Sequence, residues 1–280
     1  MNGWLAERLV SQGYAGRAAL VVQDAGTGET LHAENADEVY PAASIIKLWL
    51  LVRGLWAAQV GQTGLDERLK MQAEDRVPGS GVLHDLSAGL ALSWQDLLTL
   101  MTVVSDNTAT NLVIGRLGLQ ELQAWLAEDW PQTRLVGKLQ LPPDQRNEAQ
   151  RRGERNSITA AQAADLLGRL YRGELLDAAH TALALSILGR QQYRDILARH
   201  LPRDASGEPL HQSLSKSGEL GGVHHDAGLL LLPRPLSVTL LSADGSDPRE
   251  HPDNRDVGLL AATIWPLLAA LGRAGGGHSY

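Results

Sequence analysis

The order of apolar patterns along this 280-residue chain restricts its fold more than any other feature. Two short strand-like stretches lie near the start, a long helical block follows, and three more strand-like stretches precede a final apolar helix. Strands separated by a long insertion can still pair in one sheet, with the insertion packed as a separate layer. We therefore predict an α/β fold of the α+β type: a five-stranded antiparallel sheet flanked by terminal helices, plus an inserted all-α lobe.

The strand predictions rest on short apolar runs bounded by turn residues. Residues 18–22 and 29–33 are predicted to form a hairpin around a glycine-rich turn. Further strands are predicted at residues 210–216, 227–232 and 236–242.

The middle of the chain carries apolar residues at helical spacing. A helical pattern runs from Ser44 to residue 58, and an apolar helix is predicted at residues 256–271. Other helices are predicted at residues 94–104, 108–116, 119–128, 160–171 and 178–188. Residues 141–156 show no periodicity and are predicted to form a long loop, whereas the glycine-rich residues 273–280 are predicted to be a frayed tail.

These patterns divide the chain into two predicted lobes. Residues 1–43 and 200–280 form a discontinuous α/β lobe in this prediction, and residues 44–199 form an all-α lobe. The boundary between two such lobes is a typical place for a ligand-binding cleft.

The composition excludes several classes of function. With 25 basic and 32 acidic residues the net charge is −7, so we expect neither nucleic acid nor a membrane as a partner. The absence of cysteine excludes thiol nucleophiles, disulfides and cysteine-based zinc sites. We expect no cofactor and no metal, a small-molecule substrate, and a monomer.

The first residues of the chain bear on its compartment. They begin an amphipathic helix and lack the basic start and apolar stretch of a secretory signal. Two alternatives stay open: a cytoplasmic protein, or an exported one whose signal has been removed.

Ser44 and Lys47 are the first candidates for catalytic residues. Their Ser-Ile-Ile-Lys sequence opens a predicted helix, where unpaired N–H groups and the helix dipole favour a developing oxyanion. Residues three apart share a helix face, so the amine can reach the hydroxyl. Burial beside a second cation would lower the lysine pKa and let the amine act as a base. The pattern is short enough to occur by chance, as a second copy at residues 213–216 illustrates.

Two other triplets gain meaning from their order. The Ser-Asp-Asn triplet at residues 105–107 lies between two predicted helices, where capping alone would explain it. The Lys-Ser-Gly triplet at residues 216–218 ends a predicted strand and is unremarkable by itself. After a Ser-x-x-Lys helix start, the two triplets in this order are typical of penicillin-recognising serine enzymes.

On these motifs the chain resembles the class A β-lactamases from end to end. The order of two strands, a helical insertion, three strands and a terminal helix is that family's layout. The resemblance continues outside the motifs. Residues 222–228 resemble the stretch that follows the family's lysine triplet, and residues 154–161 resemble the end of its omega loop and the helix after it.

The resemblance implies roles for the residues of the reaction centre. Ser44 would be the acylated nucleophile, and Lys47 a base or proton relay. Ser105 would pass a proton to the leaving nitrogen. The backbone N–H groups of Ser44 and Glu219 would form the oxyanion hole.

The resemblance also implies how substrate is held. Asn107 would bind the amide side chain of the substrate and help to position Lys47. Lys216 and Ser217, followed by Gly218, would hold the carboxylate of a β-lactam or of a peptide C-terminus.

One position departs from the family pattern. When Asn147 and Glu148 are aligned with the family's omega-loop Asn-Glu, the glutamate that activates the deacylating water falls on Pro143. Asp144 and Glu148 are neighbouring carboxylates, but neither occupies that position. Because loss of a general base costs roughly 10²–10⁴ in rate, we expect acylation to persist while hydrolysis of the acyl-enzyme is slow.

This departure leaves three hypotheses. The first is a serine hydrolase that acts on β-lactams through an acyl-serine intermediate. The second is a penicillin-binding DD-peptidase or an esterase of the same fold. The third is a β-lactam binder that is acylated without turnover.

A histidine pair gives a weaker signal. His224, His225 and Asp226 could suggest a metal site, but adjacent strand residues point to opposite faces and chelate one ion poorly. We therefore expect surface or cleft-rim histidines.

Overall fold

A five-stranded antiparallel sheet organises the computed structural model, which describes residues 3–273. The strands are β1 (Arg17–Asp24), β2 (Thr30–Glu34), β3 (Tyr40–Pro41), β4 (Arg68–Lys70), β5 (Ala91–Ser93), β6 (Ser157–Ile158), β7 (Ser213–Leu220), β8 (Val223–Leu230) and β9 (Leu236–Ala243). The helices are α1 (Trp4–Ser11), α2 (Lys47–Gln59), α3 (Trp94–Val103), α4 (Asn107–Leu117), α5 (Leu119–Asp129), α6 (Glu148–Arg151), α7 (Ala160–Tyr171), α8 (Ala178–Gly189) and α9 (Arg255–Leu271). Of the predicted tail, all residues after Arg273 lie outside the described part.

The sheet has the strand order β2-β1-β9-β8-β7, which confirms the predicted five-stranded antiparallel architecture. Strand β1 pairs with β9 along its whole length, from Arg17 opposite Ala243 to Asp24 opposite Leu236. This pairing brings both ends of the chain into one sheet. Strand β7 lies at the edge, so one side of its backbone is open.

Each face of the sheet packs against different helices. Strand β1 shows why: Leu20 and Val22 point to the layer of α1 and α9, while Ala19 and Val21 point to the helical block. All four side chains are buried, so the alternation appears in sequence as one continuous apolar run.

The helical block is continuous with the core of the sheet. One buried cluster contains Ala19 and Val21 of the sheet together with Leu48 and Leu51 of α2. Helix α7 packs on β1, β8 and β9. The two-lobe division stays a prediction. None of the described helices has both the length and the apolar character needed to cross a membrane.

Three of the predicted boundaries are wrong. Strand β7 covers Ser213–Leu220 rather than residues 210–216, so the Lys-Ser-Gly triplet lies inside the strand and not at its end. Strand β8 begins at Val223 rather than at residue 227, because the polar residues 224–226 belong to the strand although they break its apolar run. The predicted 141–156 loop contains a 3-10 turn at Pro143–Gln145 and the short helix α6. Asn147 starts that helix by accepting a hydrogen bond from the Gln150 N–H at 2.9 Å.

Candidate active site

Ser44 lies in a 3-10 turn, Ala43–Ile46, that leads directly into α2. The turn is entered through Ala43, which has a left-handed φ of +42°. The preceding backbone is tied down because the Ala42 N–H donates to the Asn156 carbonyl at 2.8 Å. Ser44 is thus held at the positive end of a buried helix, where a developing negative charge is stabilised.

The Ser105 hydroxyl is the centre of the hydrogen-bond network around Ser44. The hydroxyl oxygens of Ser44 and Ser105 are hydrogen-bonded at 2.8 Å. Lys47 Nζ donates to Ser105 Oγ at 3.0 Å and to the Ser105 carbonyl at 2.6 Å, and it also donates to Asn107 Oδ1 at 2.9 Å. Lys216 Nζ donates to the same Ser105 Oγ at 3.1 Å.

This network corrects the expected direct contact between Lys47 and Ser44. The hydrogen bonds of Lys47 go to Ser105 and Asn107, so its connection to Ser44 runs through the Ser105 hydroxyl. The three-residue spacing predicted a shared helix face, but Ser44 belongs to the 3-10 turn and Lys47 to α2.

Both lysines have their pKa lowered by burial. The side chains of Lys47 and Lys216 are fully buried. Burial, reinforced by the charge of Lys216, moves the pKa of Lys47 well below its ordinary value. Burial lowers the pKa of Lys216 to about 7, against the opposing effect of Asp226 and Glu219. An amine with a pKa of about 7, as at Lys216, exchanges protons at neutral pH.

Ser105 itself sits in a left-handed conformation, with φ at +56°. The adjacent Asp106 holds this strained turn in place. Its Oδ1 accepts from the Ala109 N–H and caps α4, while its Oδ2 accepts from the N–H groups of Val82 and Leu83 at 2.7 and 2.8 Å. Asp106 is therefore the N-cap, and Asn107 is the first helical residue with its side chain directed to Lys47.

Gly218 brings the edge strand β7 against the turn that carries Ser44. A Cβ atom at this position would lie 3.1 Å from Ile45 Cγ1 and 3.2 Å from Ala43 Cβ. Glycine therefore permits an approach that a larger residue would force apart. Ser217, immediately before it, donates no side-chain hydrogen bond within the described residues, and its carbonyl accepts from Lys216 Nζ at 2.7 Å.

Two cavities flank Ser44. The larger, of about 540 Å³, lies between Ser44, Asn107 and the 138–156 region. The smaller, of about 210 Å³, is bordered by Ser105 and Ser217; its wall also contains four carboxyl side chains, Asp195, Glu219, Asp226 and Glu250. We call this second space the acidic cavity.

The structure does not bring the two candidate loop carboxylates to Ser44. Asp144 and Glu148 are exposed and line neither cavity, and Glu148 pairs instead with Arg152 at 2.9 Å. Asn147 has a structural contact as well, because its Nδ2 donates to the Val136 carbonyl at 2.7 Å. Glu154 does line the larger cavity, but it is ion-paired with two arginines.

The expectation of surface or rim histidines is wrong. Both His224 and His225 are fully buried. His225 Nδ1 accepts from the Ser242 N–H at 3.0 Å, and its Nε2 donates to the Pro41 carbonyl at 2.7 Å, just ahead of the Ser44 turn. Burial lowers the pKa of His225 to about 4, so it stays neutral. Among residues 3–273 no group of three or more histidine and carboxylate side chains is placed to hold a metal ion.

Sequence reasoning missed Asp195 and Glu250, and it assigned Glu219 only a backbone role. The Glu219 side chain is hydrogen-bonded to His224 Nδ1, its neighbour across the β7–β8 hairpin. Asp195 and Glu250 lie in connecting segments with no periodic pattern or motif, so no local signal pointed to them.

Solved structures resemble this chain over nearly its whole length. A β-lactamase from Sphaerobacter thermophilus is 27% identical, with a TM-score of 0.81 and 97% of each chain covered. A point mutant of PBP-A, in an acyl-enzyme complex with penicillin G, is 25% identical, with a TM-score of 0.79 and 96% of each chain covered. An ancestral class A β-lactamase is 25% identical, with a TM-score of 0.78, covering 95% of this chain and 99% of its own.

The family comparison agrees with the site geometry. The model of the β-lactamase enzyme family matches residues 5–267, which include all three motifs around Ser44. A hydrolytic enzyme of this fold acts on a small-molecule substrate. The chain belongs to the β-lactamase enzyme family.

Proposed function

We propose that this β-lactamase-like serine hydrolase acts on β-lactams through an acyl-enzyme formed on Ser44 and hydrolyses that acyl-enzyme slowly. One observation carries the proposal: the Ser105 hydroxyl bonds to Ser44 and to two buried lysine amines at once. A hydroxyl in this position can move a proton away from the attacking oxygen and return it to the leaving atom.

In the acylation step, Ser44 Oγ forms a bond to the carbonyl carbon of the β-lactam while its proton passes through Ser105 to the neutral amine of Lys47. The carbon–nitrogen bond then breaks, and the nitrogen takes a proton from Ser105. Lys47 or Lys216 replaces the proton on Ser105. A buried amine suits this role because its lowered pKa leaves it unprotonated and able to accept.

The second half of the reaction has no comparable support. Hydrolysis of the acyl-enzyme needs a base that activates water, and Pro143 stands where the family glutamate is expected. Asp144 and Glu148 are exposed and lie outside both cavities. Acyl-enzyme is therefore expected to accumulate.

A second candidate function is favoured by the acidic cavity. Carboxyl side chains surround the space beside Ser217, which was expected to receive the substrate carboxylate. Negative charge there opposes binding of an anionic group. An esterase or amidase whose substrates lack that carboxylate fits this wall better than a DD-peptidase does.

A chromogenic cephalosporin followed in parallel by absorbance and intact mass tests the proposed function. We expect a burst of about one equivalent, an acyl adduct on the protein, and a slow steady rate afterwards. The Ser44→Ala variant should show neither burst nor adduct. A fast linear rate with no detectable adduct would contradict slow deacylation, and absence of any adduct or turnover would contradict the proposed function itself.

A further inference from the structure

Two carboxylates of the acidic cavity have no directly bonded partner, although the charges of Arg199 and His251 oppose the rise that burial causes in the pKa of Asp195. Asp195 and Glu250 make no side-chain hydrogen bond or ion pair with any of the described residues, although both line the cavity. Of the remaining two, Glu219 is paired with His224. The wall therefore offers free acceptor groups to whatever occupies the space.

Asp226 gives a second and independent indication of a ligand. Its side chain is only 1% exposed, yet its Oδ1 atom has no hydrogen-bond partner among the described residues. The other oxygen, Oδ2, accepts from the Leu197 N–H at 3.0 Å. An unsatisfied buried polar atom is costly, and native proteins retain one where a water, an ion, a ligand or a catalytic role accounts for it.

The buried cation Lys216 acts on Asp226 through its charge but makes no hydrogen bond to it. Lys216 Nζ directs its hydrogen bonds to Ser105 Oγ and to the Ser217 carbonyl. The side chains of Lys216 and Ser217 point to opposite faces of β7. Asp226 pairs with Ser217 in the sheet register, so its side chain lies on the same face as that of Ser217. Burial also raises the pKa of Asp226 to about 7, so a cation beside it would hold the group ionised.

The positions of the two cavities relate these carboxylates to the parts of a substrate: Asp195 and Asp226 line only the acidic cavity, whereas Glu219 and Glu250 line both. The larger cavity borders Asn107, where the acyl side chain is expected. The acidic cavity borders Ser105, which is expected to protonate the leaving atom, and Ser217. The leaving group therefore extends into the acidic cavity.

We infer that the acidic cavity selects acyl substrates whose leaving group carries a positively charged amine, with Asp226, Asp195 and Glu250 as its recognition groups. This inference rests on the proposed acyl-serine chemistry of Ser44 and deepens its second candidate, the esterase or amidase whose substrates lack the carboxylate of a β-lactam. Each carboxylate attracts a cation, and their combined field disfavours an anionic leaving group.

The reaction is an acyl transfer that needs no further reactant except water. Ser44 Oγ bonds to the carbonyl carbon of an ester, thioester or amide, and the bond from that carbon to the leaving atom breaks. The proton lost by Ser44 goes to the leaving alcohol, thiol or amine by way of Ser105. Water then hydrolyses the acyl-serine and restores the hydroxyl.

Three thioesters with one acyl group and different leaving thiols test the inference. The acyl group is phenylacetylglycine, and the thiols are thiocholine, its uncharged isostere with carbon in place of nitrogen, and mercaptopropionate. All three esters form the same acyl-enzyme, so differences in kcat/KM arise before the thiol leaves. Because the chain has no cysteine, a thiol reagent detects only the product.

We expect kcat/KM for the thiocholine ester to exceed that of the uncharged ester roughly tenfold, with the anionic ester the slowest. Asp195→Asn and Glu250→Gln should each lower the cation-to-neutral ratio, and Asp195→Lys should reverse it. Asp66→Asn is a matched control, because Asp66 is exposed and lines neither cavity. These half-exposed or exposed positions avoid the folding cost of replacing Asp226.

The outcomes separate this inference from the proposed function. A preference for the anionic ester, or a ratio unmoved by Asp195→Asn, Glu250→Gln and Asp195→Lys, would overturn cation selection while leaving the acyl-serine chemistry in place. If none of the three esters acylates the protein by intact mass while the chromogenic cephalosporin does, the inference fails and the proposed function stands. If neither the esters nor the cephalosporin acylates it, both fail. A cation-to-neutral ratio of kcat/KM that declines in all three cavity variants but not in Asp66→Asn would establish cation selection by the acidic cavity.

Discussion

The reaction centre and the 141–156 segment lie on two sides of the same serine, but the charged groups of the first are buried and the two candidate carboxylates of the second are exposed. Lys47 and Lys216 are fully buried and share hydrogen bonds to one hydroxyl. Asp144 and Glu148 project into solvent, where a carboxylate keeps its ordinary hydration. Buried polar groups in a satisfied network have one geometry, whereas exposed ones are free to move.

This difference separates the two halves of acyl transfer. In the proposed reaction, acylation needs proton transfer close to Ser44, and the hydrogen bonds of Ser105 to Ser44, Lys47 and Lys216 place a relay there. Deacylation needs a base beside an incoming water, and the 141–156 segment presents no free carboxylate to the cavity. Under the proposed function, this contrast favours the first half-reaction over the second.

The largest expected effect is at Ser44. Ser44→Ala should abolish penicillin adduct formation, because it removes the hydroxyl that lies at the positive end of α2 and is hydrogen-bonded to Ser105. Intact mass after incubation with penicillin measures this directly. Ser213→Ala is the matched control, since Ser213 begins the second Ser-x-x-Lys pattern and its Oγ has no hydrogen-bond partner among the described residues. An adduct that persists in Ser44→Ala and disappears in Ser213→Ala would reverse the assignment.

Removal of the Ser105 hydroxyl is the next largest change. Ser105→Ala should slow acylation by roughly 10²–10⁴, the usual contribution of a positioned proton-transfer group. Both lysines would lose their connection to Ser44. The measurement is the rate of adduct formation in a single turnover.

A backbone effect at Ser105 can be distinguished from a hydroxyl effect. The residue has a left-handed φ of +56°, which alanine tolerates poorly and glycine adopts freely. Ser105→Gly should therefore be as slow as Ser105→Ala. Normal acylation by the glycine variant would mean that the turn matters and the hydroxyl does not.

The lowered pKa of Lys47 and the pKa of Lys216 at about 7 predict the direction of the pH dependence. A protonated amine cannot accept the proton of Ser44, so acylation should fall by about tenfold per pH unit once pH drops below the governing pKa. Rates of adduct formation from mildly acidic to alkaline pH measure this. A flat profile would exclude a lysine as the base.

A smaller effect is expected when a carboxylate is added to the loop. Pro143→Glu should raise the steady rate roughly tenfold and leave the burst unchanged, since acylation does not use this residue. The gain is limited because Pro143 is exposed and lines neither cavity. Burst and steady phases with a chromogenic cephalosporin measure both steps.

The control for this variant is Asp144→Ala, which should change neither phase. If Asp144→Ala removes a fast steady rate, Asp144 is the deacylation base, and the alignment of the loop is shifted by one residue.

The features that could be predicted from sequence are those with a local pattern. The five strands were predictable because β1, β8 and β9 bury side chains on both faces and therefore contain apolar runs. The three motifs were predictable from their order along the chain, although only the Ser-x-x-Lys and Ser-Asp-Asn motifs stand at a helix start and the Lys-Ser-Gly triplet lies inside β7. The start of β8 was missed, since His224 and Asp226 are polar residues buried by tertiary contacts.

Other features depend on distant parts of the chain meeting. Asp195 and Glu250 reach one cavity from separate connecting segments, which no local pattern encodes. The route from Lys47 to Ser44 runs through Ser105, and this depends on how α2 meets the turn before α4. Spacing along one helix predicted a direct contact, because it contains no information about a third residue between the two.

The smallest expected effects test what holds the 141–156 segment. Asn147→Ala removes the cap of α6 and should lower the free energy of unfolding by about 1 kcal/mol. Glu148→Gln removes only an exposed i,i+4 pair with Arg152 and should change it by less than about 0.5 kcal/mol. Urea unfolding of both variants measures the difference, with the acylation burst as a second readout. A larger loss in Glu148→Gln than in Asn147→Ala, or a slower burst in Glu148→Gln, would mean that this exposed carboxylate is coupled to Ser44 and that the contrast between the two regions is wrong.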